Sequence, residues 1–161
     1  MSAPTTQRGR VATVTTPSDR EIRTERVFDA PRERVWRALT DRAQLAQWWG
    51  RGNRLDIERL EVERGGHWRF VEHSDHGVHG FEGRYREVTP PERLVNTFEW
   101  DGMPGYVAVV TTTLDDLGDG RTRVVTVSLF HTTAERDGML DAGMAQGLNE
   151  SYAALDRLLA R

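Results

Sequence analysis

The sequence predicts one α+β domain in which a curved antiparallel sheet wraps around a long C-terminal helix. Three observations predict it. Residues 134–161 read as a helix with one apolar face: from Leu140 onward, Leu140, Met144, Gly147, Leu148, Ser151, Leu155 and Leu158 share one side, while Asp141, Glu150, Asp156 and Arg157 fall elsewhere. The apolar material of matching extent is the series of period-two runs from Leu55 to Phe130. The turns between those runs are too short to hold crossover helices, so the strands pair antiparallel.

In chain order, residues 1–10 are polar, lack aromatic side chains and are expected to form a disordered tail, leaving residues 11–161 as the single domain. Val11 to Thr16 alternates weakly and is a candidate extra strand, broken by Pro17 and Ser18. Glu21 to Phe28 alternates well enough for a strand, and Asp29-Ala-Pro31 stops it and starts a helix, because proline suits a first turn. That helix, Arg32 to Leu39, places Val35, Trp36 and Leu39 on one face; Thr40 or Asp41 caps a second short helix ending at Trp48-Trp49-Gly50. From Arg54 the period changes to two. Leu55, Ile57 and Leu60 begin a strand, Gly65-Gly66 turns, and His67 to Val71 puts Trp68 and Phe70 on one face. After a turn at Ser74 to Gly77, Val78 to Val88 shows His79, Phe81, Gly83 and Tyr85 on one side, and Leu94, Asn96, Phe98 and Trp100 line the strand after Pro90-Pro91. Tyr106 to Leu114 returns, Asp115 to Gly120 is a hairpin tip, and Arg121 to Phe130 is the last strand, for a sheet of six or seven strands.

Composition removes several classes of function. The formal net charge of −3, without a basic stripe, gives no general attraction to nucleic acid. No apolar run approaches the roughly 20 residues of a membrane helix, so no membrane partner is expected. The chain has no cysteine, which excludes disulfides, thiolate metal sites and a cysteine nucleophile. All 22 basic residues are arginine, which excludes a Schiff-base lysine. The first ten residues lack the apolar segment of a secretory signal, so the expected location is the cytoplasm.

Residues 21–50, from Glu21-Ile-Arg-Thr-Glu-Arg-Val-Phe28 to Trp48-Trp49-Gly50, resemble the opening of bacterial proteins similar to the C-terminal domain of the heat-shock-protein-90 ATPase activator. Those proteins belong to the START-like superfamily, with the birch-pollen allergen and the polyketide cyclases. Gly83-x-Tyr85-x-Glu87-Val88-x-Pro90-Pro91-x-Arg93-Leu94-Val95 is a second block in the same style, and the segment around Gly147 is a third. The resemblance implies a helix-grip fold with a cavity between sheet and helix, closed at one end by the two short helices. Two positions depart from the family pattern. Arg51 stands where proline commonly follows Trp-Trp-Gly, and Met144-x-x-Gly147-Leu148 replaces a His-x-x-Gly-Trp pattern. The loss of an indole at Leu148 implies a roomier or more pliable pocket, with Met144 an adaptable liner.

The chemistry on offer is sparse. His73, Asp75, His76 and His79 fall within seven residues, and His73 and His79 share parity so that they face each other across the hairpin, yet no matching ligand cluster occurs elsewhere and a solvated hairpin is the expectation. Ser128 and His131 lie three apart on opposite strand faces, and no nucleophile elbow surrounds Ser128 or Ser151. Glu82, Glu87 and Glu99 would serve as general acids only if buried, and strand glutamates usually face water. Phe28 and Trp36 read as ordinary core. Gly143 and Gly147, on or beside the helix's inward face, either let it approach the sheet closely or leave a space. The aromatic faces, with Gly83 and Asn96 among them, form either a filled core or a pocket with few orienting polar groups, and the resemblance favours the pocket.

The expected activity is therefore binding of a small hydrophobic or amphipathic molecule, without a cofactor, metal or catalytic group. The ligand-binding candidates are Trp48, Trp68, Phe70, Phe81, Tyr85, Asn96, Phe98, Trp100, Thr126, Ser128, Met144, Gly147, Leu148 and Ser151. A polyketide-cyclase-like enzyme using the same cavity and a chaperone ATPase regulator acting through protein contact are the alternatives, with the chain a monomer or homodimer.

Overall fold

A computed structural model describes residues 11–161, so the expected tail at residues 1–10 lies outside the described residues. Strands β1 (Thr13–Thr15) and β2 (Glu21–Phe28) precede helices α1 (Arg32–Thr40) and α2 (Arg42–Trp48). Six strands follow: β3 (Arg54–Leu60), β4 (His67–Ser74), β5 (Gly77–Thr89), β6 (Arg93–Trp100), β7 (Ala108–Asp116) and β8 (Thr122–Leu129). Helices α3 (Thr133–Asp141) and α4 (Met144–Leu159) end the chain. Asp41, rather than Thr40, caps α2: its carboxylate accepts from the Gln44 backbone N–H at 3.1 Å.

The strands form one antiparallel sheet in the order β1-β2-β8-β7-β6-β5-β4-β3, so the first long strand lies beside the last. The sheet has eight strands where six or seven were expected. The addition is the three-residue β1, whose weak alternation pairs at Thr13 opposite Glu25. Register stacks inward-facing residues into rows across the sheet. One row runs Ile22, Ser128, Val110, Asn96 and Tyr85, and the next runs Thr24, Thr126, Thr112 and Leu94. α4 lies across this concave face, α1 and α2 close one end, and the core is solid there, where Phe28, Val35, Ala38, Leu114 and Leu155 are buried.

The expected single helix over residues 134–161 is two helices. Gly143 takes a left-handed backbone (φ +84) between them, while the N–H groups of Ala142 and Gly143 donate to the Gly138 and Leu140 carbonyls. A left-handed glycine satisfying the last carbonyls is a common helix stop, and apolar periodicity continuing past it hides the break. α4 buries Tyr152, Ala154, Leu155 and Leu158, whereas α3 buries none of its residues fully. Leu140, assigned to the main helix face, instead packs with Met139 and Met144 on a small separate cluster of Ile22, Ala108 and Phe130.

One buried ion pair fastens α4 to the sheet. The guanidinium of Arg26 in β2, with its side chain only 2% exposed, meets both carboxylate oxygens of Asp156, with Nη1 to Oδ1 at 2.9 Å. It lies 4.5 Å over the Phe28 ring. Among the described residues, no helix is long and apolar enough to cross a membrane.

Candidate functional site

Beyond the solid end, the sheet and α4 part around a cavity of about 570 Å³ that opens to solvent. Trp68 and Phe70 of β4, Phe81 and Tyr85 of β5, and Asn96, Phe98 and Trp100 of β6 form one wall, with Thr126 and Ser128 of β8 opposite. Trp48 comes from α2, and Met144, Gly147, Leu148 and Ser151 come down from α4. The structure thus brings all fourteen candidate residues to the wall of one cavity. Period-two parity explains the sheet members, and a continuous apolar side explains the helical ones.

The two walls differ chemically. On the β4–β6 side, ring meets ring: Phe81 lies 5.6 Å from Phe98 and Trp68 4.9 Å from Phe70, measured between centroids. Trp49, which the sequence reading left out of the site, is the hub of this wall. It packs edge-on against Phe70 and Phe81, each 5.1 Å away, and against Trp68 at 6.3 Å. The chain leaves α2 at Trp49 in extended geometry, so Trp48 turns to Tyr152 and the Ala38 carbonyl while Trp49 turns to the sheet. On the β2–β8–β7 side, Thr24, Thr126 and Thr112 present hydroxyls, with 3.4 Å between the Oγ1 atoms of Thr112 and Thr126. The cavity therefore has an aromatic side and a hydroxyl side.

Two glycines divide the earlier alternatives. A Cβ at Gly147 would meet only the Cδ of Arg51, at 3.6 Å, and one at Gly143 would meet nothing within 4 Å, so neither lets backbones approach closely. Gly83, read as a gap in the aromatic surface, is filled: a Cβ there would overlap the Thr97 carbonyl and come within 2.7 Å of Trp68 Nε1. Its missing side chain makes room for the indole and the neighbouring strand.

Charged and titratable groups at the wall are few. Arg51 has a left-handed backbone (φ +63) between Gly50 and Gly52, both also left-handed. A proline, locked near −65°, cannot take this conformation, so the backbone here has no place for the proline that the resemblance implies after Trp-Trp-Gly. The Arg51 N–H donates to Ser151 Oγ at 2.8 Å, and its Nε donates to Glu72 Oε2 at 3.0 Å. Asn53 Nδ2 donates to the same oxygen at 2.9 Å. The hydrogen bond to Glu72 raises the Arg51 pKa further, so the guanidinium stays charged. Glu72 was missed although it shares parity with Trp68 and Phe70. The three glutamates considered earlier face elsewhere: Glu82 pairs with Arg69, Glu87 with Arg93, and Glu99 accepts from the Gly105 N–H. Burial pushes the Tyr85 phenol up to about 12. Burial also raises Tyr152, against the opposing effect of its hydrogen bond with Thr126.

His73 and His79 do not face each other across the hairpin. The two-residue loop pairs Ser74 with Gly77, which sets His73 opposite Val78 and His79 opposite Glu72. His79 turns into the cavity beside Trp100, with centroids 6.0 Å apart, while His73 Nε2 pairs with Asp56 at 2.8 Å on the outer face. Among the described residues, no three histidine, aspartate or glutamate side chains cluster as metal ligands would.

A sheet gripping a C-terminal helix over a two-sided hollow defines a helix-grip protein of the START-like class. Within that class the chain belongs to the family described as "Activator of Hsp90 ATPase homolog 1-like protein", whose profile matches residues 29–160. It is similar to a Rhodobacter sphaeroides protein of known crystal structure, at 29% identity and TM-score 0.83, over 92% of this chain and 97% of that one. Mycobacterium smegmatis protein Ms6760 shares the fold at 19% identity and TM-score 0.83, over 92% and 96% of the two chains. DynU16, from the dynemicin biosynthetic locus, aligns at 26% identity and TM-score 0.68 over 89% of this chain but 48% of its own. No protein of curated function matches the chain.

Proposed function

We propose that the protein binds one small apolar or amphipathic molecule in the cavity beneath α4. The observation that carries this reading is an unfilled volume of about 570 Å³, aromatic on one side and hydroxyl-bearing on the other. Ligand sites typically measure about 300–1,000 Å³ and are lined mainly by apolar groups with a few polar ones. Binding would rest on burial, at roughly 25 cal/mol per Å² of apolar surface, with Tyr85, Asn96, Thr126 and Ser128 orienting the molecule. The test is titration with N-phenylnaphthylamine, a neutral dye that brightens in apolar surroundings. Saturable binding of one dye per chain, with quenching of tryptophan emission, is expected; the absence of saturable binding would overturn the reading.

A cyclase-type enzyme is the second reading, favoured by one observation: a carboxylate, Glu72, and a neutral phenol, Tyr85, both stand at the wall. Turnover of a β-keto substrate that is lost in Glu72→Gln, with dye binding intact, would establish it. A chaperone-regulating role through protein contact rests on the family description alone, and stimulation of the cognate chaperone's ATPase would be its test.

A further inference from the structure

We propose, resting on the cavity-binding reading, that the bound molecule presents an uncharged carbonyl oxygen, that of an ester, amide or ketone, to the Nη groups of Arg51. Three features aim this side chain. Its left-handed backbone is an unfavourable conformation for an arginine, and non-glycine residues held in one concentrate at functional sites. The bond from its N–H to Ser151 Oγ holds its backbone against α4, and its Cδ lies beside Gly147, where an added Cβ would meet it at 3.6 Å. Glu72 then takes Nε, which fixes the plane of the guanidinium. Nη1 and Nη2 have no hydrogen-bond partner among the described residues, and the side chain lines the cavity with 28% of its surface exposed.

Charge selects the acceptor. Of the described residues lining the cavity, Arg51 and Glu72 carry the formal charges, His79 being the one other basic group. Their pair sums to zero. A carboxylate at Nη would stand beside Glu72 and leave one negative charge without a counter-ion in a largely apolar space. A carbonyl oxygen accepts the same N–H groups and adds no charge. The geometry therefore matches a neutral oxygen-bearing amphipath better than a free fatty or aromatic acid.

The experiment measures displacement of N-phenylnaphthylamine by methyl decanoate and by decanoate at neutral pH. The ester is also the more apolar probe, so the deciding readout is the change between variants. In Glu72→Gln the guanidinium loses its counter-charge, and decanoate should gain about tenfold relative to the ester, the scale of one charge-assisted hydrogen bond. In Arg51→Gly/Glu72→Gln, which keeps a residue suited to the left-handed backbone and buries no charge, the ester should lose about tenfold relative to the dye. Saturable binding of one dye per chain in the double variant shows that the fold and cavity are intact. An ester affinity relative to the dye that is equal in the wild type and the double variant, or an acid-to-ester ratio unmoved by Glu72→Gln, would overturn the inference. A wild type that fails to bind the dye at all removes the cavity reading, and this inference with it.

Discussion

Replacing Asp156 with alanine should release α4, the roof of the cavity, from the sheet. The wild-type carboxylate meets Arg26 through both oxygens, and the arginine side chain is 2% exposed while that of Asp156 is 19% exposed. Removing one partner of a buried pair typically costs about 3–5 kcal/mol, because the charge left behind is desolvated. Water reaches the Asp156 side, so the low end, about 3 kcal/mol, is expected. That is a large share of the roughly 5–15 kcal/mol by which domains are stable. Urea denaturation followed by circular dichroism reads it directly: with an m-value of about 2 kcal/mol per M, the midpoint should fall by roughly 1.5 M. The double variant Arg26→Met/Asp156→Leu, which buries no charge, should lie within about 1 kcal/mol of the wild type. A loss below about 1 kcal/mol in Asp156→Ala would refute the claim that this pair anchors the helix.

Alanine at two glycines should have opposite effects. Gly83→Ala drives a Cβ into the Thr97 carbonyl and the Trp68 indole and should cost at least about 2 kcal/mol by thermal or urea unfolding, whereas Gly147→Ala, with only Arg51 Cδ at 3.6 Å, should gain up to about 1 kcal/mol of helix propensity. Tyr85 ionises near 12 when folded and near 10 when unfolded, so its contribution is complete below about pH 10 and lost as pH rises through about 12. Ultraviolet titration should show that late ionisation, and Tyr85→Phe should lessen the alkaline loss of stability; an unaltered profile would count against a buried phenol. Leu148→Trp places an indole in the cavity, so dye affinity should fall about tenfold, roughly 1.4 kcal/mol, and unchanged affinity would show that this position does not wall the binding space.

Strand periodicity made the site readable where each residue's face follows from counting. Trp68, Phe70, Phe81, Tyr85, Asn96, Phe98 and Trp100 all lie on inward parity, and the structure brings them to one wall. The same counting reaches Arg26 and Glu72, which share parity with Ile22 and Phe28 and with Trp68 and Phe70. Neither was singled out, because a charged strand residue usually faces water and the partner that neutralises it, Asp156 or Arg51, is distant in sequence and invisible to local pattern. Backbone conformation was hidden for a different reason. Nothing in a run of apolar positions announces the left-handed Gly143 that divides the last helix, and an arginine at φ +63 is foreseeable only from the glycines beside it. Trp49 was missed because it follows the helix end by one residue, where a small change of boundary turns a side chain to another face.

The position of a bound molecule tests most directly whether the cavity beneath α4 is the binding site. Isotope-filtered NMR of the labelled protein with unlabelled N-phenylnaphthylamine reads intermolecular contacts by proton. Contacts from the dye to the methyl groups of Met144 and Leu148 and to the rings of Trp49 and Phe81 are the predicted result. Contacts confined to the outer face of the sheet, or none at saturating dye, would contradict it.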